Sequence, residues 1–370
     1  MLRALTLGLA VFCAGCAGPG PGYYWQAMSG QVELMWRARP VAEVERLPET
    51  SATVRERLAL AGEIRRFASA ELGLPDNGSY RRYANLERPY VAWNVFANPP
   101  LSMTPQSWCV PVAGCVNYLG FFSEDDAHAL AARLRAQGMD VHVAGVPAYS
   151  TLGWFDDPLL NTFIQWSEPE LARLIFHELA HQLLYVKHDT EFNESFAATV
   201  EEAGVRRWLA QPEHAHWLAA FEQSQARRDD FAALVLEYRD RLGLLYASGA
   251  DEASLRDGKR RILDELKAAY AGLKAGRWQG FSGYDRWFAQ DINNATLASI
   301  GLYRGLVPSF SAVLAEEHGD LPRFYARVRT LADLPAPQRR VALGDALQRA
   351  SAALATHPAA TAAQPRAPNL

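Results

Sequence analysis

The chain lacks the marks of several large classes of protein. Its 370 residues carry 37 basic and 41 acidic side chains, a formal net charge of −4. No strong field of either sign is available to hold nucleic acid or an anionic surface, and no basic patch with interleaved aromatics occurs. No internal repeat is visible. The markedly apolar run Ala4 to Ala14 is too short to cross a bilayer as a lasting helix. What remains is ordinary for a globular protein: 49% apolar and 21% charged residues, enough for one large domain or two modest ones. The 10 Trp and 14 Tyr read as aromatic core before carbohydrate binding.

Met1-Leu2-Arg3, the apolar run and Cys13-Ala14-Gly15-Cys16 read as a secretory signal over residues 1–15 that ends at a cysteine. The pattern resembles a bacterial lipobox, with Cys16 lipidated as the mature N-terminus. Ala17 follows in place of the Asp that retains lipoproteins at the inner membrane. The expectation is therefore a periplasmic protein, lipid-anchored to the outer membrane, with residues 16–30 as a Gly/Pro tether. Only four cysteines occur in all. The two beyond the signal, Cys109 and Cys115, have no second pair of Cys or His nearby; in an exported protein they read as one disulfide closing a small loop.

Apolar spacing predicts helices over Val54–Leu72, over Glu124–Gln137 with Ser123 as N-cap, and from Ser167 through Leu184. Strands are expected over Tyr90–Phe96, Gly120–Phe122 and from Val141 toward Pro147. A further helix is expected to start at Asn193 as its cap. Two or three helices follow over Glu213–Ala275 with breaks near Gly243 and Gly249, one over Trp287–Leu306, and two more over Leu321–Leu354. Residues 356–370 are rich in Ala and Pro and read as a disordered tail.

The chemistry lies in Phe176-His177-Glu178-Leu179-Ala180-His181-Gln182. Residues four apart share one helix face, so His177 and His181 can reach one metal ion. Glu178 lies beside that ion and can take a proton from water activated there. A catalytic zinc needs a third protein ligand. His188, Asp189, Glu191, Glu194, Glu201 and Glu202 are the downstream candidates. Leu184 and Lys187 stand where a metzincin has Gly and His, which excludes that class.

Asn193-Glu194-Ser195-Phe196-Ala197 resembles the Asn-Glu-x-x-Ala pattern of gluzincins, the thermolysin-like peptidases and zinc aminopeptidases, and implies Glu194 as third ligand. Only 12 residues separate it from His181, fewer than in familiar gluzincins, so the loop between the two helices, roughly 186–192, is short. Glu201, two turns further along the same face, is a candidate to orient a ligand imidazole; the alternative is a helix surface charge.

The wider chain is similar to the family of bacterial predicted aminopeptidases. The likeness rests on Gly22–Gln26, Leu74–Tyr80, Trp93–Ala97, Trp108–Cys115, Val146–Gly153, Phe176–Gln182 and Phe192–Ala197. It implies zinc hydrolysis of peptides, with Glu178 as general base. It also implies a later Tyr or His on the oxyanion, for which Tyr303 is the candidate and Tyr149 the second choice. An edge strand running into Ala148, Tyr149 and Ser150 is implied to bind the substrate backbone. Asp156, Asp157 and Glu191 are available for a free α-amine.

The expected fold is α+β and zincin-like. A small mixed sheet shelves the active-site helix within residues 31–210, and a mainly helical region, 211–355, closes the cleft. Two other functions stay open: an envelope endopeptidase, and a binding lipoprotein that keeps a metal site without turnover.

Overall fold

The structure is a computed structural model that describes residues 20–110, 114–148 and 150–356, the side chains of 302, 303 and 354–356 excepted. Cys16, the signal, Tyr149, the Tyr303 side chain and the tail from 357 thus lie outside the described residues. The N-terminal half runs α1 (Pro21–Arg37), β1 (Arg39–Pro40), α2 (Val41–Val44), α3 (Ala52–Ala70), β2 (Arg82–Ala84), β3 (Ala92–Asn98), β4 (Trp108–Val110), β5 (Gly114–Val116), β6 (Leu119–Phe121), α4 (Glu124–Ala136), β7 (Asp140–Val146) and β8 (Leu159–Leu160). Helices follow: α5 (Glu168–Leu183), α6 (Thr190–Leu209), α7 (Leu218–Tyr246), α8 (Glu252–Ala275), α9 (Asp285–Ala289), α10 (Asn294–Arg304), α11 (Val307–Glu316), α12 (Leu321–Ala332) and α13 (Ala336–Thr356). The whole is α+β, mostly helical with small sheets.

Capping explains most boundaries. Ser51 and Ser123 accept from the backbone N–H groups of Val54 and Asp126, opening α3 and α4. Helix α5 opens with Pro169 in its first turn, Glu168 and Glu170 at its positive end, and no side-chain cap from Ser167.

Four expectations are corrected. Asn193 is not a cap: Asp189 caps α6, accepting from Phe192 N–H, and Asn193 lies inside the helix. Gly243 does not interrupt α7, which breaks only at 247–251, around Gly249. The single helix expected over Trp287–Leu306 is two, α9 and α10, because Asn293 and Thr296 form a capping box that starts a new helix. The described part of the expected tether is helical from Pro21.

Three small sheets form. The largest strands make an antiparallel sheet in the order β6-β3-β7. Helices α4 and α10 pack on it, with α4, Trp93 and Phe121 around one core. A mixed sheet β1-β2-β8 and the hairpin β4-β5 complete the set. The mixed sheet shares a core with α5 through Ala84, Leu159 and Leu160, while α5 packs chiefly on α6 and α3. Those three contribute much of the main core, with Phe176, Phe192, Phe196 and Phe310 fully buried. A separate aromatic core joins α7, α8, α9 and α10.

Cys109 and Cys115 form the expected disulfide across β4-β5. The hairpin seats on the α5–α6 connection, where Cys115 N–H donates to His188 Nδ1 at 2.7 Å. Gly114, at φ +79, is required there: a Cβ would lie 2.6 Å from the His188 ring.

Gly204 sets the approach of α6 to α5. A Cβ at that position would lie 2.7 Å from Leu72 Cδ1 and 2.8 Å from Phe176 Cδ2. Gly204→Val is expected to destabilise the fold by about 1–3 kcal/mol through overpacking, read as a lower urea midpoint. An unchanged midpoint would show that this contact yields freely.

Candidate metal centre

Helix α5 offers His177 and His181 one turn apart, and α6 lies against it with Glu194 facing them. His181 Nε2 is 3.1 Å from His177 Nε2. Glu194 Oε2 is 3.3 Å from His177 Nε2 and 3.6 Å from His181 Nε2. The three donors lie within 4.8 Å of one another. Donors held at zinc bond lengths in a tetrahedron stand about 3.3 Å apart, so this set suits one ion with room for a fourth ligand.

The remaining sequence candidates are engaged elsewhere. His188 accepts from Cys115. Asp189 caps α6 and pairs with buried Arg339 of α13 at 2.8 Å. Glu191 pairs with Arg340 at 2.6 Å, and Glu202 with Arg304 at 2.8 Å. Asn193 instead bridges the helix connection, accepting from Val186 N–H and donating to Val186 C=O, both at 2.8 Å. That clamp holds the turn that brings Glu194 back to α5.

Glu201 is buried and lies 2.8 Å from His177 Nδ1. With Nδ1 donating to Glu201, Nε2 is the nitrogen that faces Glu194 and His181 and would serve an ion once deprotonated. Arg173 grips the same carboxylate through Nε and Nη2, and Glu170 joins Arg173 to Arg228. His181 Nδ1 is buried with no such partner among the described residues, so the two imidazoles are unequally supported.

Electrostatics follow burial. Desolvation raises Glu178, with its neighbours His177 and His181 opposing and Glu194 adding to the rise. Desolvation also raises Glu194, but His181 and His177 bring it down to about 2. Glu201 is raised by desolvation and brought to about 2 by Arg173 and His177. Burial disfavours a charged His177, yet hydrogen bonds to Glu194 and Glu201 prevail and hold its pKa well above the ordinary value.

Sequence reasoning passed over the support on the Glu178 side. Gln182 receives Asn77 Nδ2 at 2.7 Å and donates to Ser79 Oγ and Asp157 Oδ2. Arg65 fixes the same turn through Pro75 and Ser79 carbonyls. Tyr80 ends that turn, buried, at φ +63, near enough for Glu178 to act on its hydroxyl after desolvation has raised it. In the sequence the Leu74–Tyr80 segment stands out only as part of the family likeness.

Asp157, an expected partner for an α-amine, is buried and engaged by Thr151 N–H, Thr151 Oγ1 and Ser150 Oγ. Burial, opposed by the Thr151 bonds, puts its pKa at about 6. Ser150 also accepts from Leu152 N–H, and Ala148 is buried. Tyr185, one turn past His181, is half-buried beside Glu194.

A family model described as "Putative aminopeptidase" matches residues 22–343. No curated protein and no solved structure matches the chain.

Because imidazole and carboxylate donors bind an ion only when deprotonated, metal affinity is expected to fall as pH falls. Glu201→Ala should weaken metal binding about 10–100-fold while His177→Ala abolishes it, as measured by competition with a chelator. Equal affinity in Glu201→Ala would remove Glu201 from the support of the site.

Proposed function

This chain belongs to that aminopeptidase family, and from that premise we propose that it is a zinc-dependent aminopeptidase with a zincin-like fold. The observation that carries the reading is the convergence of His177, His181 and Glu194 beside a half-buried Glu178. Two imidazoles and a carboxylate are a catalytic zinc set. When bound, the ion supplies polarisation of the scissile carbonyl and acidification of a water.

Glu178 accepts a proton from the attacking water and delivers it to the leaving amine. Desolvation raises its proton affinity, the direction that lets a carboxylate take a proton from water. Glu201 holds the His177 ring, and Arg173 holds Glu201. Strand β7 is an edge strand, and the chain beyond it, Ala148 to Ser150, is our candidate for aligning the peptide backbone. The oxyanion donor is proposed to be Tyr303, on α10, which packs against α6.

The test is hydrolysis of a defined peptide mixture by wild type and Glu178→Gln, followed by mass spectrometry. Stepwise loss of N-terminal residues is expected from the wild type. The variant should keep its metal and lose about 10²–10⁴-fold in rate. Internal cuts alone would transfer the reading to an endopeptidase, and equal turnover in the variant would sink the general-base assignment.

We also propose that Cys16 is acylated and holds the protein on the periplasmic side of the outer membrane. Support comes from the signal pattern ending at Cys16 and from α1. Its Trp25, Met28, Val32 and Trp36 form one stripe, 71, 61, 66 and 85% exposed. Two tryptophans on such a stripe suit the interfacial layer of a bilayer, adding a second attachment to a lipid chain. No helix among the described residues is long and apolar enough to cross a membrane. Mass spectrometry of the mature N-terminal peptide should find acylated Cys16; an unmodified N-terminus at another residue would overturn the anchor.

A further inference from the structure

Beside the metal cluster, on the Arg173 side of His177, lies a cavity of about 290 Å³. Its polar wall is Arg173, Arg228, Arg304, Tyr284, His177 and Glu201, with apolar side chains between them. Three guanidiniums from α5, α7 and α10 thus converge on a space about large enough for one amino-acid residue. We propose that this pocket binds a carboxylate of the substrate residue next to the scissile bond. The proposal rests on the peptidase reading and narrows its substrate class to acidic or very short peptides.

Each cation is steadied by acids. Glu201 holds Arg173, Glu170 holds Arg228, and Glu202 with Asp229 holds Arg304. Of these acids only Glu201 is in the wall, and it is already engaged by His177 and Arg173. The three arginine side chains remain 14 to 21% exposed. Guanidinium groups held in this way are preorganised for a planar, bidentate anion, which a carboxylate is. Tyr284 senses the arrangement: although burial raises its hydroxyl, Arg228, Arg173 and Arg304 all favour negative charge there, against Glu170.

His177 belongs both to this wall and to the metal group, so an occupant would sit beside the reacting carbonyl. Its carboxylate can come from the free C-terminus of a dipeptide or from an Asp or Glu side chain. The chemistry recognised is the same in both.

The test has a binding arm and a turnover arm. In calorimetry with metal-loaded protein, acetyl-alanine is expected to bind about 10–100-fold more tightly than acetyl-alanine amide. Arg228→Lys, which keeps the charge but loses the bidentate fork, and Arg304→Gln should each remove most of that difference. Equal affinity for the two probes overturns the pocket, as does a preference that persists in both variants, since that carboxylate would be on the metal.

In the turnover arm, kcat/KM is compared for Ala-Ala against Ala-Ala-amide, and for Ala-Glu-amide against Ala-Gln-amide. A preference for the free acid in the first pair assigns the pocket to the C-terminus, and for Glu in the second pair to a side chain. Hydrolysis without either preference overturns the pocket and leaves the peptidase. Carboxylate binding without hydrolysis of any peptide keeps the pocket and overturns the peptidase.

Discussion

Helix α6 buries three carboxylates within two and a half turns, at Glu194, Glu201 and Glu202, and much of the surrounding structure exists to compensate them. An unpaired carboxylate in such a position would cost several kcal/mol, enough to consume a large share of a domain's stability. Each therefore has its own partner on another helix. Glu194 faces the two imidazoles of α5, Glu201 faces His177 and Arg173, and Glu202 faces Arg304 of α10. Supplying those partners dictates that α5 and α10 flank α6, which is how they pack.

The same requirement ties remote parts of the chain to the site. Asp189, the cap of α6, is buried and pairs with Arg339, 150 residues on, which also stacks over Phe192. The helix connection is closed by Asn193 from inside and by the disulfide hairpin, through His188, from outside. At the far end of α5 the Asn77–Gln182–Asp157 lattice fixes the turn after His181. Helix α5 is therefore held at its metal face, at its C-terminal turn and through Phe176 in the core, leaving few ways for the donors to drift apart.

These dependencies decide what was legible in the sequence. Helix α5 and its imidazoles are readable because the signal is local: apolar periodicity, Pro and acids at the start, and two His four apart. Ser123 and its helix are readable for the same reason. Glu194 is readable only through its family pattern, since spacing alone does not separate it from Asp189, Glu191 or Glu202. The start of α6 is misread because Asp189 and Asn193 are both good caps, and Arg339, far away in sequence, is the partner that keeps Asp189 in place. Gly243 gives no break because packing on α8 and α10 overrides its weak helix propensity. The arginine-lined cavity has no local signature at all: its three cations sit 55 and 76 residues apart along the chain.

Charge balance ties the cluster to a divalent ion more closely than geometry alone does. Among the described residues, Glu178, Glu194 and Glu201 stand around the two imidazoles, and Arg173 pairs with Glu201. Three negative charges against one positive leave a deficit of two. Part of that deficit is visible in the ion-free cluster as the raised proton affinity of His177, which its bonds to Glu194 and Glu201 impose against burial. A divalent cation held by His177, His181 and Glu194 would supply both missing charges at once. The nitrogen and oxygen donors admit zinc and tolerate other first-row ions. A divalent ion there would add to the imidazoles and arginines that already let α6 keep its acids buried.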